Sequence, residues 1–185
     1  MRTHLFRLLA TAVVVMASAG YASAGSRTTC ARVAANEPWQ GTGVQLQEGD
    51  FACVRAQALW SHGQEAANIV PFYGPQGYFL NENANPQPLV AFPFARLGAL
   101  IGKIGDAGNA FPIENGLCFA VEPAPGAPGR LPGELQLSMN DVPGGFANNQ
   151  GSAQVAIAVE RMGRRESSPT LDRLVTQAFH SGCGR

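Results

Sequence analysis

Leu135-Gln136-Leu137-Ser138-Met139 and, sixteen residues on, Val155-Ala156-Ile157-Ala158-Val159 decide the fold. In the first, apolar residues take every second position, so Leu135, Leu137 and Met139 share one face of an extended strand while Gln136 and Ser138 take the other. The second places Val155, Ile157 and Val159 on one face, with Gln154 and Glu160 on the other. A strand that is half apolar must lay that face against another layer, which predicts a second sheet and hence a β-sandwich. Working outward, the same pattern, or a short apolar run between turn residues, predicts strands at Cys30–Ala35, Val44–Gln47, Phe51–Gln57, Ala99–Ile104 and Leu117–Val121.

What separates these segments suits an all-β chain. Glu122 to Gly129 and Val142 to Phe146 are rich in Pro and Gly, and proline lacks the donor that a sheet ladder needs. A longer irregular stretch runs from Ser61 to Phe94 and carries Phe72, Tyr73, Tyr78, Phe79, Phe92 and Phe94, which makes it the expected binding rim. The tail changes character. Ser168-Pro169 reads as a helix start, and Leu171, Leu174, Val175 and Phe179 then fall on one helical face, so a short C-terminal amphipathic helix is expected to end near Gly182. Arg161 to Arg165 is the linker, read as solvated surface.

Residues 1–24 have the parts of a signal peptide: Arg2 and Arg7, an apolar run from Leu8 to Ala19, and Ala22-Ser23-Ala24 as a small-x-small cleavage site. The expectation is an exported chain starting near Gly25, with a sandwich over 25–160 and linker plus helix over 161–185. The run from Leu8 to Ala19 is shorter than the roughly 20 residues a spanning helix needs, and nothing later in the sequence is both apolar and long enough. The full chain has 13 basic and 13 acidic residues, and removing Arg2 and Arg7 leaves about −2, which offers no electrostatic footprint for nucleic acid. Four cysteines in an exported chain favour disulfides over metal thiolates and allow three pairings. The pairing expected is Cys30 with Cys53 on the early strands, and Cys118 with Cys183 tying down the tail.

Between the two deciding strands lies Asn140-Asp141-Val142-Pro143-Gly144-Gly145-Phe146-Ala147-Asn148-Asn149-Gln150-Gly151-Ser152. Asp141, Asn148 and Asn149 can converge from the two ends of this loop. Calcium takes six to eight oxygens from carboxylates, amide carbonyls and backbone carbonyls, and the loop supplies all three kinds. The same residue types also build ordinary tight turns. Catalytic signals are missing: beyond the leader the only histidines are His62 and His180, no nucleophile, zinc-protease or phosphate-loop motif occurs, and nothing in their spacing pairs Asp50, Glu65, Glu82, Asp106 or Asp141. An enzyme is not expected.

The loop resembles that of the PA-IL-like galactophilic lectins, whose signature of Asn-Asp-Val-Pro-Gly, three residues, Asn-Asn, one residue and Gly-Ser is matched from Asn140 to Ser152. Further landmarks follow the family's order: Glu48-Gly49-Asp50, Trp60, Gly74-Pro75-Gln76-Gly77, Gly98-Ala99-Leu100 with Lys103-Ile104-Gly105, and Gly116-Leu117. The resemblance runs from about Ala31 to Val159. It implies a jelly-roll-like sandwich of the galactose-binding-domain-like kind, with one calcium and a galactoside whose vicinal hydroxyls enter the metal's coordination shell. By position, Asp141, Asn148 and Asn149 would give side-chain oxygens and Gly145 and His62 backbone carbonyls. Asp141 and Asn148 would also bind the sugar, with Val142 beside it. The family's sugar-orienting His and Gln after the Gly-Pro-Gln-Gly turn are absent; Tyr78 to Gln87 stand there, with Asn81, Asn83 and Gln87 as candidates for that role. The expected partners are galactose-type glycans, and the sequence leaves the oligomeric state open. A rival reading is an interaction module on the same sandwich, its loop stiffened by calcium and its interface elsewhere.

Overall fold

The computed structural model describes residues 27–65, 68–69, 72–78, 95–122, 133–161 and 168–183. The expected leader, Phe79 to Phe94 with Asn81, Asn83 and Gln87, the Pro-rich stretch 123–130 and most of the Arg-rich linker lie outside the described residues.

Ten strands follow in chain order: β1 Arg27–Ala34, β2 Gln40–Leu46, β3 Asp50–Ser61, β4 Gln64–Glu65, β5 Asn68–Ile69, β6 Leu100–Ile104, β7 Phe111–Pro112, β8 Gly116–Ala120, β9 Gly133–Met139 and β10 Gln150–Arg161. Helix α1 spans Ser168–Ala178, and a wider terminal turn covers Phe179–Cys183. Two antiparallel four-stranded sheets result, one in the order β1-β10-β3-β8 and the other β2-β9-β6-β7, with β4 and β5 as a small separate ribbon. Apart from β6 and β7, successive strands of these sheets alternate between the two layers, so the chain repeatedly crosses the ends of the sandwich.

The core lies where the alternation placed it. Val33, Val54, Val155 and Ile157 from the first sheet meet Leu46, Leu100, Leu135, Leu137 and Met139 from the second, with Trp60 fully enclosed among them. At about 25 cal/mol per Å², burying each of these larger side chains contributes roughly 1.5–3 kcal/mol against the entropy of ordering the chain.

The first sheet is covered on both faces. The face of β10 opposite Val155 and Ile157 carries Ala156 and Ala158, both at 0% exposure beneath α1, whose Leu171 and Val175 seat there. Small residues on the strand let the helix approach closely. Leu174 is half-buried and Phe179 packs at the margin, so the predicted apolar face of the tail is the docked face. Arg55 on β3 forms a hydrogen-bonded ion pair with Asp172 at 2.5 Å, in a half-exposed position where screening leaves such a pair little net effect. Leu171→Ala should lower the stability of the oxidised chain by roughly 2–3 kcal/mol, read from the urea midpoint.

The disulfides differ from expectation. They are Cys30–Cys183 and Cys53–Cys118. The sheet order explains why Cys30 cannot meet Cys53: β10 lies between β1 and β3, and two strand spacings, about 9.5 Å, exceed the reach of a disulfide. Cys53 and Cys118 are instead direct cross-strand partners in the β3–β8 register. Cys183 is left to tie the end of the helical tail to β1. The tail is fixed covalently as expected, but to the opposite edge of the sheet.

Candidate functional site

The loop from Asn140 to Asn149 is the crossing from β9 to β10, and each of these is an inner strand of its sheet, paired on both sides. Ligands held at the ends of inner strands inherit the rigidity of the ladder. The register brings in a third segment: Gln150 at the start of β10 pairs with Ser61 at the end of β3, so His62 and Gly63 emerge beside the loop.

Asn140 acts as the loop's anchor. Its side-chain nitrogen donates to the carbonyls of Ala95 and Arg96 at 3.0 and 3.1 Å, its backbone N–H donates to Ala99 O at 2.7 Å, and its carbonyl accepts from Gly98 N–H at 2.7 Å. At 0% exposure it fixes the neighbouring loop to the end of β9. This role was missed at the level of sequence, where Asn140 was only the first residue of a signature.

Asp141 is 5% exposed. One carboxylate oxygen accepts the Val142 N–H at 2.7 Å and the other accepts the Asn149 side-chain amide at 2.8 Å, and it forms no ion pair among the described residues. Asn149 Nδ2 also donates to Ala35 O at 3.0 Å, whereas Asn149 Oδ1 is buried and has no hydrogen-bond partner among the described residues. An uncompensated buried carboxylate beside an unsatisfied buried amide oxygen is costly, and it is the arrangement that a cation would relieve. Gly145 opens a short helical turn over Gly145–Asn148. A side chain there would place its Cβ 2.6 Å from Val142 Cγ2 and 3.0 Å from Asp141 Oδ1, so the absence of one keeps the space before the carboxylate clear.

Asn148 is exposed and lies across Gly63, where an added Cβ would stand 2.5 Å from the Asn148 amide carbon. Gly63 also has φ +97, a region that bulkier residues enter only under strain. Gly63→Ala should therefore displace Asn148, cost about 1–3 kcal/mol of stability and weaken ligand binding at the loop by at least about tenfold; calorimetric titration beside thermal unfolding measures both.

Against this loop stands an aromatic cluster. His62 Nδ1 and the Tyr73 hydroxyl are 2.8 Å apart, and the rings of His62, Tyr73 and Tyr78 lie 5.2 to 5.6 Å from one another. Tyr73 is fixed through its backbone, which pairs with Trp60 in both directions, and its ring rests on Gly98. Burial pushes the Tyr73 phenol well above its ordinary pKa, the Asp141 carboxylate raises it further, and a hydrogen bond with the His62 backbone offsets part of this. Tyr73 is thus a neutral phenol at any physiological pH. Of the residues expected from the sequence, Asp141, Val142, Gly145, Asn148 and Asn149 share one loop and His62 adjoins it; Asn81 and Gln87 lie outside the described residues.

Residues 28–162 match the family described as PA-IL-like protein. The chain belongs to that family. Lectin A of Photorhabdus laumondii subsp. laumondii is 34% identical over 124 residues, which cover 67% of this chain and 84% of that protein. A solved structure described as "EclA N-terminal domain; PllA-like lectin" superposes with a TM-score of 0.51 at 20% identity, over 71% of this chain and 96% of its own length; that likeness is one of fold. The PA-IL-like match ends at residue 162, so α1 and the Cys30–Cys183 bond's distal half lie beyond it. No helix among the described residues is long and apolar enough to cross a membrane.

Proposed function

We propose that this protein is an exported, calcium-dependent lectin for galactose-like sugars, with no catalytic role. The observation that carries the reading is the pair formed by the buried Asp141 carboxylate and the unsatisfied Asn149 Oδ1. Asp141, Asn148 and Asn149 would hold calcium through side-chain oxygens, and Gly145 and His62 through backbone carbonyls. This set is hard, oxygen-rich and only singly charged, which suits calcium better than a transition metal. Among the described residues no group of three His, Cys, Asp or Glu side chains could hold a metal, so amide and backbone oxygens must form most of the set.

When bound, the ion supplies an electrophilic partner for sugar hydroxyls, which compete poorly for protein groups in water. The chain's own residues do the rest. Asp141 and Asn148 accept and donate hydrogen bonds to the sugar, Val142 lines it, and the Tyr73–Tyr78 face stands ready for the apolar side of a pyranose. Asn81 and Gln87 remain the candidates for orienting the sugar in place of the family's His and Gln. Membership of a family whose relative is named a lectin supports carbohydrate binding, and two disulfides that use all four cysteines support export to an oxidising compartment.

The test is retention of the purified oxidised protein on immobilised galactose in calcium. Release by EDTA is the expected result. A calcium-dependent rise in melting temperature without retention on galactose would leave the metal and remove the sugar, in favour of an interaction module.

A further inference from the structure

The outward face of the second sheet holds an arrangement that the calcium loop does not use. Trp39, in the turn between β1 and β2, has φ 31, a strained value for a bulky residue. Its neighbour keeps it there: Gln40 Oε1 accepts the Ala34 N–H at 2.7 Å, while Gln40 Nε2 donates to the carbonyls of Ala34 and Glu37, both at 2.8 Å. The half-buried indole meets Lys103, whose Nζ is 4.8 Å from the ring centroid.

Polar groups lie on the adjoining strands in a fixed layout. Gly41, Gln136 and Lys103 are lateral neighbours across β2, β9 and β6. Gln136 Nε2 donates to Asp106 Oδ1 at 2.7 Å, and Lys103 Nζ donates to Asp106 O at 3.1 Å. The Glu134 carboxylate fills the space over Gly41 and accepts the Gly43 N–H at 2.6 Å. A half-buried indole on a strained turn, with the Lys103 ammonium over one face and one amide and two carboxylates on the adjoining strands, offers what a sugar ring asks for: an apolar ring for its C–H face and paired donors and acceptors for its hydroxyls. One ammonium against two carboxylates leaves a single net negative charge, which favours a neutral ligand over an acidic one.

We propose that this face is a second, calcium-independent subsite for a neutral hexopyranose unit, with Trp39 as the stacking platform and Gln136, Lys103 and Asp106 as hydroxyl partners. Its turn adjoins the Asp141 loop through the Asn149 Nδ2–Ala35 O hydrogen bond, but the subsite does not need the calcium reading to be correct. The test uses the full oxidised chain carrying Asp141→Asn, in EDTA, titrated with cellotriose, β-1,4-galactotriose and maltotriose. The chain has two tryptophans, and Trp60 is 0% exposed, so a ligand-induced emission change reports Trp39. A saturable blue shift with at least one trisaccharide is expected. In the same background Trp39→Gly, which suits the positive φ, should lose at least about tenfold in affinity by calorimetry without a lower melting point, and Gln136→Ala about fivefold. No saturable response to any of the three, or unchanged affinity in both variants, overturns the subsite. Loss of galactose retention in the same Asp141→Asn chain bears only on the calcium loop.

Discussion

Asp141→Asn should abolish calcium-dependent retention on galactose and weaken calcium binding at least about a hundredfold, because it removes the only carboxylate of the β9–β10 crossing. The change is isosteric, and the new amide oxygen can still accept the Val142 N–H that now goes to Oδ1. Its nitrogen would face Asn149 Nδ2, which keeps Ala35 O as a partner, so the calcium-free protein should lose only about 1 kcal/mol. The two effects separate cleanly by calorimetric titration with calcium and thermal unfolding in EDTA. Wild-type calcium affinity in this variant would falsify the assignment of Asp141 as a ligand.

The largest stability effect is expected from replacing Cys30 and Cys183 together by serine. Their bond closes a loop with a sequence separation of 153, for which the chain-entropy account gives about 5 kcal/mol. For a chain of this size that is a fall of roughly 10–15 °C in melting temperature. The helical tail would then be held only by Leu171, Val175 and their margin against Ala156 and Ala158. Galactose binding should persist below the new melting point, since among the described residues the side-chain N–H···O hydrogen bonds of Asp141 and Asn149 go to Val142, Ala35 and each other and not to the tail. An unchanged midpoint would mean that apolar docking alone fixes the helix.

Much of this was legible in sequence because the informative residues sit in strict period. Leu135, Leu137 and Met139 could face only one way, and the same holds for Val155 and Ile157, so two layers followed without any tertiary information. The helix was legible for the same reason at a different period. What periodicity cannot carry is lateral order within a sheet. Nothing in the spacing of Cys30 and Cys53 says that a strand from the far end of the chain enters between their strands, and the disulfide pairing was misread for that reason. That Asp141 and Asn149 meet was legible because they stand at the two ends of one short loop, whereas Gly145 and Val142 entered only through the family resemblance. The approach of Gly63 to Asn148, the anchoring by Asn140 and the placement of Tyr73 over Gly98 depend on which strand ends coincide, and those are properties of the register.

The bond between Cys30 and Cys183 also governs how the molecule carries tension. A pull that enters ahead of Cys30 and leaves beyond Cys183 runs through one covalent link and bypasses every strand between them. Apart from the three β1 residues ahead of Cys30 that pair with β10, the ladders of both sheets, and the crossing that holds Asp141, stay unloaded until that link is reduced. A chain built this way can be pulled from beyond both cysteines and keep the geometry of its β9–β10 crossing, and a reducing agent would convert the same pull into unravelling.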